Sequence, residues 1–141
     1  MIEENEELSL KLFAMLSHVY RKVMDQVAKD IRSHGLNPTE FDVLELLYHK
    51  GEQPIKQIGD KVFLASGSMT YVIDKLEEKG LICRKPCPED RRVIYAVVTD
   101  KGMALIEMIF PSHRQAIAKL LDGLDEGGKR TCMELLQKIR F

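Results

Sequence analysis

The sequence predicts a mainly α fold with one small β-hairpin, in a single domain spanning residues 1–141. Three observations predict it. Apolar residues recur at three- and four-residue steps through most of the chain. Glycine and proline divide it into six helical stretches. The period changes once, between Gly80 and Thr99, where β-branched residues flank a charged turn with two prolines.

The first stretch runs from about Glu6 to Ser33, with Leu8, Leu12, Leu16, Val19, Tyr20, Val23, Val27 and Ile31 on one stripe. A helix of about 28 residues is roughly 42 Å long. That exceeds what a small globule can cover, so part of the stripe is expected to meet another subunit. The second helix opens at Asn37-Pro38-Thr39-Glu40. Asn37 suits the N-cap, Pro38 the first turn, and Glu40 the partner position of a capping box. Gly51 ends it. A third, short helix covers about Ile55 to Phe63, with Ile55, Ile58 and Val62 inward. After a turn at Leu64-Ala65, Ser66 is expected to cap a fourth helix that ends at Gly80. Met69, Val72, Ile73 and Leu76 define its buried face. Ser68, Thr70, Tyr71, Asp74 and Lys75 point elsewhere.

Leu81 to Lys85 and Val93 to Val98 read as two strands. The Pro86–Arg92 segment between them is a loop, because two prolines cannot join a central ladder. Thr99 caps a fifth helix through about Leu121, with a kink expected at Pro111. The last helix runs from about Asp125 to Arg140, its start weakened by Gly127-Gly128.

Two short helices joined by a tight turn and followed by a hairpin make a winged helix-turn-helix, here about residues 37–98. The flanking helices, about 6–33 and 100–141, form a dimerisation region. A fourth helix of about 14 residues is near 21 Å long and fits a major groove about 12 Å wide. The hairpin beside it can straddle phosphates and place arginine in the minor groove.

Composition is that of a soluble globular chain, with 45% hydrophobic and 30% charged residues. No apolar run approaches the ~18 residues of a membrane span. The acidic start Glu3-Glu4-Asn5-Glu6-Glu7 lacks the basic opening of a secretory signal, so a cytoplasmic location is expected. Net charge is −1, unlike the strongly basic balance of the plainest nucleic-acid binders. The charge is uneven: net −4 over residues 1–49, +2 over 50–101 and +1 over 102–141. The basic excess therefore falls where a DNA contact is needed.

The chain resembles the MarR family of transcription regulators over nearly its whole length. Leu36-Asn37-Pro38-Thr39-Glu40-Phe41 and the run from Ser68 to Ile82 carry the resemblance. The most specific part is Asp90-Arg91-Arg92, followed by Thr99-Asp100-Lys101-Gly102. The family's pattern is Asp-any-Arg in the wing, then Leu-Thr-x-x-Gly; Val98 stands in the Leu place. The resemblance implies a homodimer shaped like a triangle, with the first, fifth and sixth helices packed together. Each subunit would offer its fourth helix to one half-site of a near-palindromic DNA operator, half-sites lying ~34–36 Å apart. It implies a repressor released by a small aromatic or phenolic ligand or by oxidation of thiols.

Residue by residue, the resemblance implies that Arg92 is the wing-tip minor-groove arginine and that Asp90 orients it or pairs with another arginine of the motif. Arg84, Lys85 and Arg91 are candidate phosphate contacts. Ser68, Thr70, Tyr71 and Lys75 form the reading face, since hydroxyls bond phosphates or bases and a Tyr ring packs on a thymine methyl. His18, Tyr20 and His34 are weaker candidates for a ligand pocket between the dimer helices and the DNA-binding lobe. The bland alternatives are solvated loop charge, helix caps and half-buried surface residues.

The three cysteines, Cys83, Cys87 and Cys132, make no disulfide framework. The family's peroxide sensors carry a cysteine near the start of the first helix, and residues 1–82 here contain none. Cys83 and Cys87 beside Arg84 and Lys85, and Cys132 in a dimer helix, stand as candidate redox residues. The Cys-x3-Cys spacing is a poor zinc signature, so neither metal nor cofactor is expected.

An enzyme is the first rival reading, and it lacks support. There is no Gly-rich phosphate loop, His-Glu-x-x-His or nucleophile elbow, and His18, His34, His49 and His113 lie in separate elements. The second rival is a winged helix that binds only protein, which the acidic pI of about 6.4 keeps open.

Overall fold

The computed structural model describes residues 3–62 and 68–140. Six helices and three short strands follow in the order α1 (Glu4–Arg32), α2 (Pro38–Lys50), β1 (Gln53–Pro54), α3 (Ile55–Lys61), α4 (Met69–Glu78), β2 (Ile82–Pro86), β3 (Ile94–Val98), α5 (Asp100–Leu120) and α6 (Glu126–Leu136).

The caps are built as the residue types dictate. Asn37 Oδ1 accepts from the Glu40 amide at 2.8 Å, and Glu40 Oε1 accepts from the Asn37 amide at 3.0 Å. This reciprocal pair satisfies two donors that the first turn of α2 leaves open. Gly51 closes the helix in a positive-φ conformation, its amide donating to Leu47. Thr99 Oγ1 accepts from the Gly102 amide at 3.1 Å, starting α5. The same hydroxyl donates to the Gly80 carbonyl at 2.6 Å and so seals the end of the α4 turn. Asp125 caps α6 through the Gly128 amide.

The core sits between the C-terminal part of α1, α2, α3, the inner face of α4, the sheet and the first half of α5. Ile31, Phe41, Leu44, Leu47, Ile58, Ile73, Leu76, Ile82, Ile106 and Ile109 are fully buried in it. Burying each such side chain contributes roughly 1.5–3 kcal/mol. Gly102 lets α5 pass against the end of α4: a Cβ there would collide with the Leu81 carbonyl oxygen and lie 2.8 Å from Val98 Cγ2. That close approach is why the residue three after Thr99 must be glycine.

Several sequence expectations need correction. The sheet has three strands, in the order β1-β3-β2, not two. Gln53 pairs with Ala96 and Pro54 with Tyr95. A two-residue strand that includes a proline has no period to read, and proline is tolerated there because the strand is an edge. Pro86 closes β2 opposite Ile94 rather than opening the loop, again on an edge strand. Helix α4 starts at Met69 and is capped by Ser68, whose Oγ accepts from the Tyr71 amide at 3.4 Å. The expected cap Ser66, the turn Leu64-Ala65 and the helix end at Phe63 lie outside the described residues. At 10 residues α4 is about 15 Å long, shorter than expected. Pro111 lies inside helix α5, which continues to Leu120, and α6 ends at Leu136 rather than Arg140.

Helices α1 and α6 are the least covered. On α1 only Val27, Ala28 and Ile31 are buried, while Leu8, Leu12, Phe13, Leu16, Val19 and Tyr20 lie open. No described residue of α6 is buried. Among the described residues no helix is long and apolar enough to cross a membrane.

Candidate nucleic-acid interface

The period of α4 sorts its residues. Val72, Ile73 and Leu76 go inward, with Met69 packed against the core. Thr70, Tyr71, Asp74, Glu77 and Glu78 are left outside. Tyr71 is 61% exposed, unusual for an aromatic that could have packed. Lys75 Nζ lies 5.4 Å from the centre of its ring and 3.4 Å from Glu78 Oε2. Thus Thr70, Tyr71 and Lys75 share an open face. Ser68, expected among the readers, stands at its edge and serves as the cap.

The wing joins β2 and β3. The Cys87 amide donates to the Val93 carbonyl at 2.9 Å, and the Val93 amide to the Asp90 carbonyl at 3.0 Å, so the loop is a tight double turn. At its tip Asp90 Oδ1 accepts from the Arg92 amide at 3.0 Å and from Arg92 Nε at 3.2 Å. The backbone hydrogen bond first, and the guanidinium second, hold the Asp90 carboxyl below its ordinary pKa. Arg92 projects with 90% of its side chain exposed, though one edge is steered by Asp90. Arg91 beside it is also exposed. Geometry of this kind aims a cation away from the body at low conformational cost.

The other basic candidates are placed differently. Lys85 is open, with Nζ 3.6 Å from Glu52 Oε2. Arg84 turns to α4: Nη2 donates to Asp74 Oδ1 at 2.6 Å and Nη1 to Glu77 Oε1 at 2.7 Å. The Asp74 hydrogen bond is the main reason its pKa rises above the ordinary arginine value. Its guanidinium is therefore already engaged.

Between α3, α4 and the wing lies a cleft of about 700 Å³ that contains Thr70, Asp90 and Arg92 together with Lys56, Gln57 and Tyr95. Lys56 and Gln57 were not singled out from sequence. The available signal was their place on the first helix of a helix-turn-helix, the one that crosses the backbone.

The pocket candidates do not meet. A cavity of about 430 Å³ between α1, α2 and α5 is lined by Val23, Met24, Val27, Phe41, His49 and His113, among others. His18, Tyr20 and His34 are not among its lining residues. His18 lines a separate groove with Lys22, Gln26 and Leu120, and Tyr20 is exposed. His34 sits in the α1–α2 turn. The sequence showed His49 and His113 only as isolated histidines in different helices. Folding brings both to Phe110, at 5.5 and 6.4 Å, and sets His113 4.8 Å from Phe41. His113 Nδ1 is buried without a hydrogen-bond partner.

The three thiols are free. Cys83 and Cys132 are exposed and Cys87 is half-buried. Cys83 points away from Arg84, because neighbours on a strand face opposite sides. With Arg84 on Asp74 and Glu77, and Lys85 near Glu52, both cations expected beside the wing thiols face carboxylates instead. Among the described residues no group of three His, Cys, Asp or Glu side chains is placed to hold a metal ion.

Comparison with known proteins gives the same picture. The MarR family model matches residues 36–94, from the turn before α2 into β3. The HTH-type transcriptional regulator MhqR of Bacillus subtilis is 55% identical over 94% of this chain and 92% of its own length. The uncharacterized HTH-type transcriptional regulator YkoM, from the same organism, is 41% identical over 96% and 88%. Two solved structures share the fold at lower identity. A putative MarR-like transcription regulator from Bacillus cereus has a TM-score of 0.84 at 17% identity, covering 94% of this chain and 95% of that one. A mutant MarR from E. coli, complexed with operator DNA, has a TM-score of 0.82 at 20% identity, covering 97% and 98%. The groove-sized helix, the arginine-tipped wing and a 55% identical regulator agree: the chain belongs to the MarR family of winged helix-turn-helix, DNA-binding transcription regulators.

Proposed function

We propose that this regulator binds a near-palindromic operator as a homodimer and represses transcription until a small aromatic ligand or thiol oxidation releases it. The carrying observation is the open face of α4, with Thr70, Tyr71 and Lys75, standing beside a wing whose Arg92 is exposed and oriented by Asp90. Thr70, Tyr71 and Lys75 read the major groove; Arg92 enters the minor groove; Arg91, Lys85 and Lys56 contact phosphates. The E. coli MarR solved with operator DNA shares this fold and supports the docking mode.

Dimerisation is supported by the uncovered apolar stripe of α1, by Leu120, Leu121 and Leu124, and by Met133, Leu135 and Leu136 on α6. Exposed large apolar residues in such number mark an interaction site. The ligand role is supported by the cavity that touches both α1 and α5 of the dimer region and α2 of the DNA-binding lobe. Its apolar walls suit an aromatic ring, and His113 Nδ1 offers a partner for a phenolic hydroxyl. The thiol arm is supported by the exposure of Cys83, close to the wing, and of Cys132.

Selection of bound duplexes from a random pool, with and without phenolic compounds or peroxide, tests the reading. Enrichment of a two-fold symmetric site, lost on adding ligand or oxidant, is the expected result. The affinity for that site should fall with salt at a log–log slope of about −0.9 per phosphate neutralised. A protein-only module would enrich no sequence, and that outcome would sink the proposal.

A further inference from the structure

The open face of α4 carries acid as well as reading groups. Asp74 and Glu77 follow Thr70 by four and seven residues, so all three lie on one side of the helix. Both carboxylates are substantially exposed. Two uncompensated negative charges held against a phosphate backbone would oppose the approach of this helix to DNA, because salt screens little at separations below the Debye length.

Arg84 answers that charge from within the protein. It leaves β2 on the side facing α4, and its side chain is only 29% exposed. One guanidinium nitrogen is 2.6 Å from Asp74 Oδ1 and the other 2.7 Å from Glu77 Oε1. The Arg84 amide adds a third bond, to Glu77 Oε2 at 3.3 Å. A planar fork spanning two carboxylates almost one helical turn apart is a job for arginine rather than lysine. The preference of Arg84 for its charged form, raised first by Asp74, fits the same geometry. A phosphate contact would have to break these bonds, and the exposed Arg91 and Arg92 need break less.

We propose that Arg84 is a positioning residue that acts on DNA binding only through Asp74 and Glu77, cancelling their charge so that α4 can enter the groove, and that it touches no phosphate itself. The proposal rests on the reading of α4 as the groove helix.

The test is a mutant cycle on one operator duplex selected by the native protein. Affinities are compared for the native chain, Arg84→Met, the pair Asp74→Asn with Glu77→Gln, and the triple variant, each below its own thermal melt. Arg84→Met should bind about tenfold more weakly, and the triple variant should return to within about threefold of native. Recovery in the triple variant, together with a paired variant no tighter than the triple, is a result that a direct phosphate contact cannot give. A triple variant as weak as Arg84→Met, or an Arg84→Met that binds like native, overturns the proposal. Should Arg84→Met not fold, the paired and triple variants decide alone. They should agree within about threefold, whereas a freed phosphate-binding Arg84 would make the pair about tenfold tighter than the triple. Tyr71→Ala serves as reference: native-like affinity there shows that α4 does not face the groove, which is a failure of the docking mode and not of the role given to Arg84.

Discussion

The ammonium of Lys79 donates to Glu40 Oε2 at 2.8 Å, joining the end of α4 to the capping box of α2. The same ammonium reaches the Gly35 carbonyl at 3.2 Å, in the turn where α1 gives way to α2. Glu40 is 4% exposed, and its other oxygen holds the Asn37 amide. From the opposite side Lys101 Nζ donates to the Lys79 carbonyl at 2.8 Å and Thr99 to that of Gly80. The C-terminal end of α4 is thus gripped between the α1–α2 turn and the first turn of α5.

Lys79→Met should therefore cost stability, because it leaves a buried carboxylate with one partner fewer. A loss of about 1–3 kcal/mol is expected, less than for a fully buried pair since Lys79 is itself part-exposed. Urea unfolding measures it, and Lys79→Arg should recover most of the loss. A midpoint equal to native would show that the ion pair adds nothing beyond the cap.

Gly102→Ala tests the close approach of α5 to Leu81. The added methyl meets a backbone oxygen, which cannot rotate away as a side chain would. A destabilisation of about 1–3 kcal/mol is expected, read as a lowered Tm. Alanine in a helix is otherwise favoured over glycine by about 1 kcal/mol, so an unchanged or raised Tm would mean that the strand ends yield freely.

Arg92→Ala should weaken operator binding while leaving the oligomeric state unchanged. If Arg92 lies among the phosphates, the salt slope should also shrink by about 0.9. Operator titration and sedimentation on the same samples check this. Native affinity in the variant would remove the wing from the interface.

The Asp90 carboxyl should titrate below its ordinary value, followed by carbon NMR of the labelled side chain. Because its folded pKa is depressed, the stabilisation it gives the wing is complete above the unfolded value near 3.8 and is lost as pH falls through the lower folded value. Wing order should accordingly be constant from neutral pH down to mildly acidic conditions. In Arg92→Ala the shift should lessen but persist, since the amide of residue 92 is the larger cause. Complete return to the ordinary value would assign the effect to the guanidinium instead.

Removing residues 123–141 should lower the stability of the proposed dimer. That truncation deletes α6, whose apolar Met133, Leu135 and Leu136 find no cover within the chain. Sedimentation across a dilution series should show dissociation at concentrations where the full chain stays paired. A truncated chain that remains dimeric when dilute would leave α1 and α5 as sufficient.

The sequence by itself determined where the helices lie, the caps of α2 and α5, and the face that α4 buries. Asn37, Glu40 and Thr99 are local signals whose partners lie three residues away, and Val72, Ile73 and Leu76 follow a period that any helix obeys. It also placed the wing, through its two prolines and the Asp90-Arg91-Arg92 turn. What it could not give were relationships between elements distant in the chain. The strand at Gln53–Pro54 exists only because β3 offers it an edge. Ser68 caps α4, a place that the polar run before the helix did not single out. His49 and His113 became cavity neighbours only when α2 met α5, while His18 and Tyr20, both on α1, were left outside. Arg84 looked like any basic residue near a wing. Its commitment to Asp74 and Glu77 was decided by the packing of β2 against α4, because charge is written in sequence but its pairing is set by distance in three dimensions.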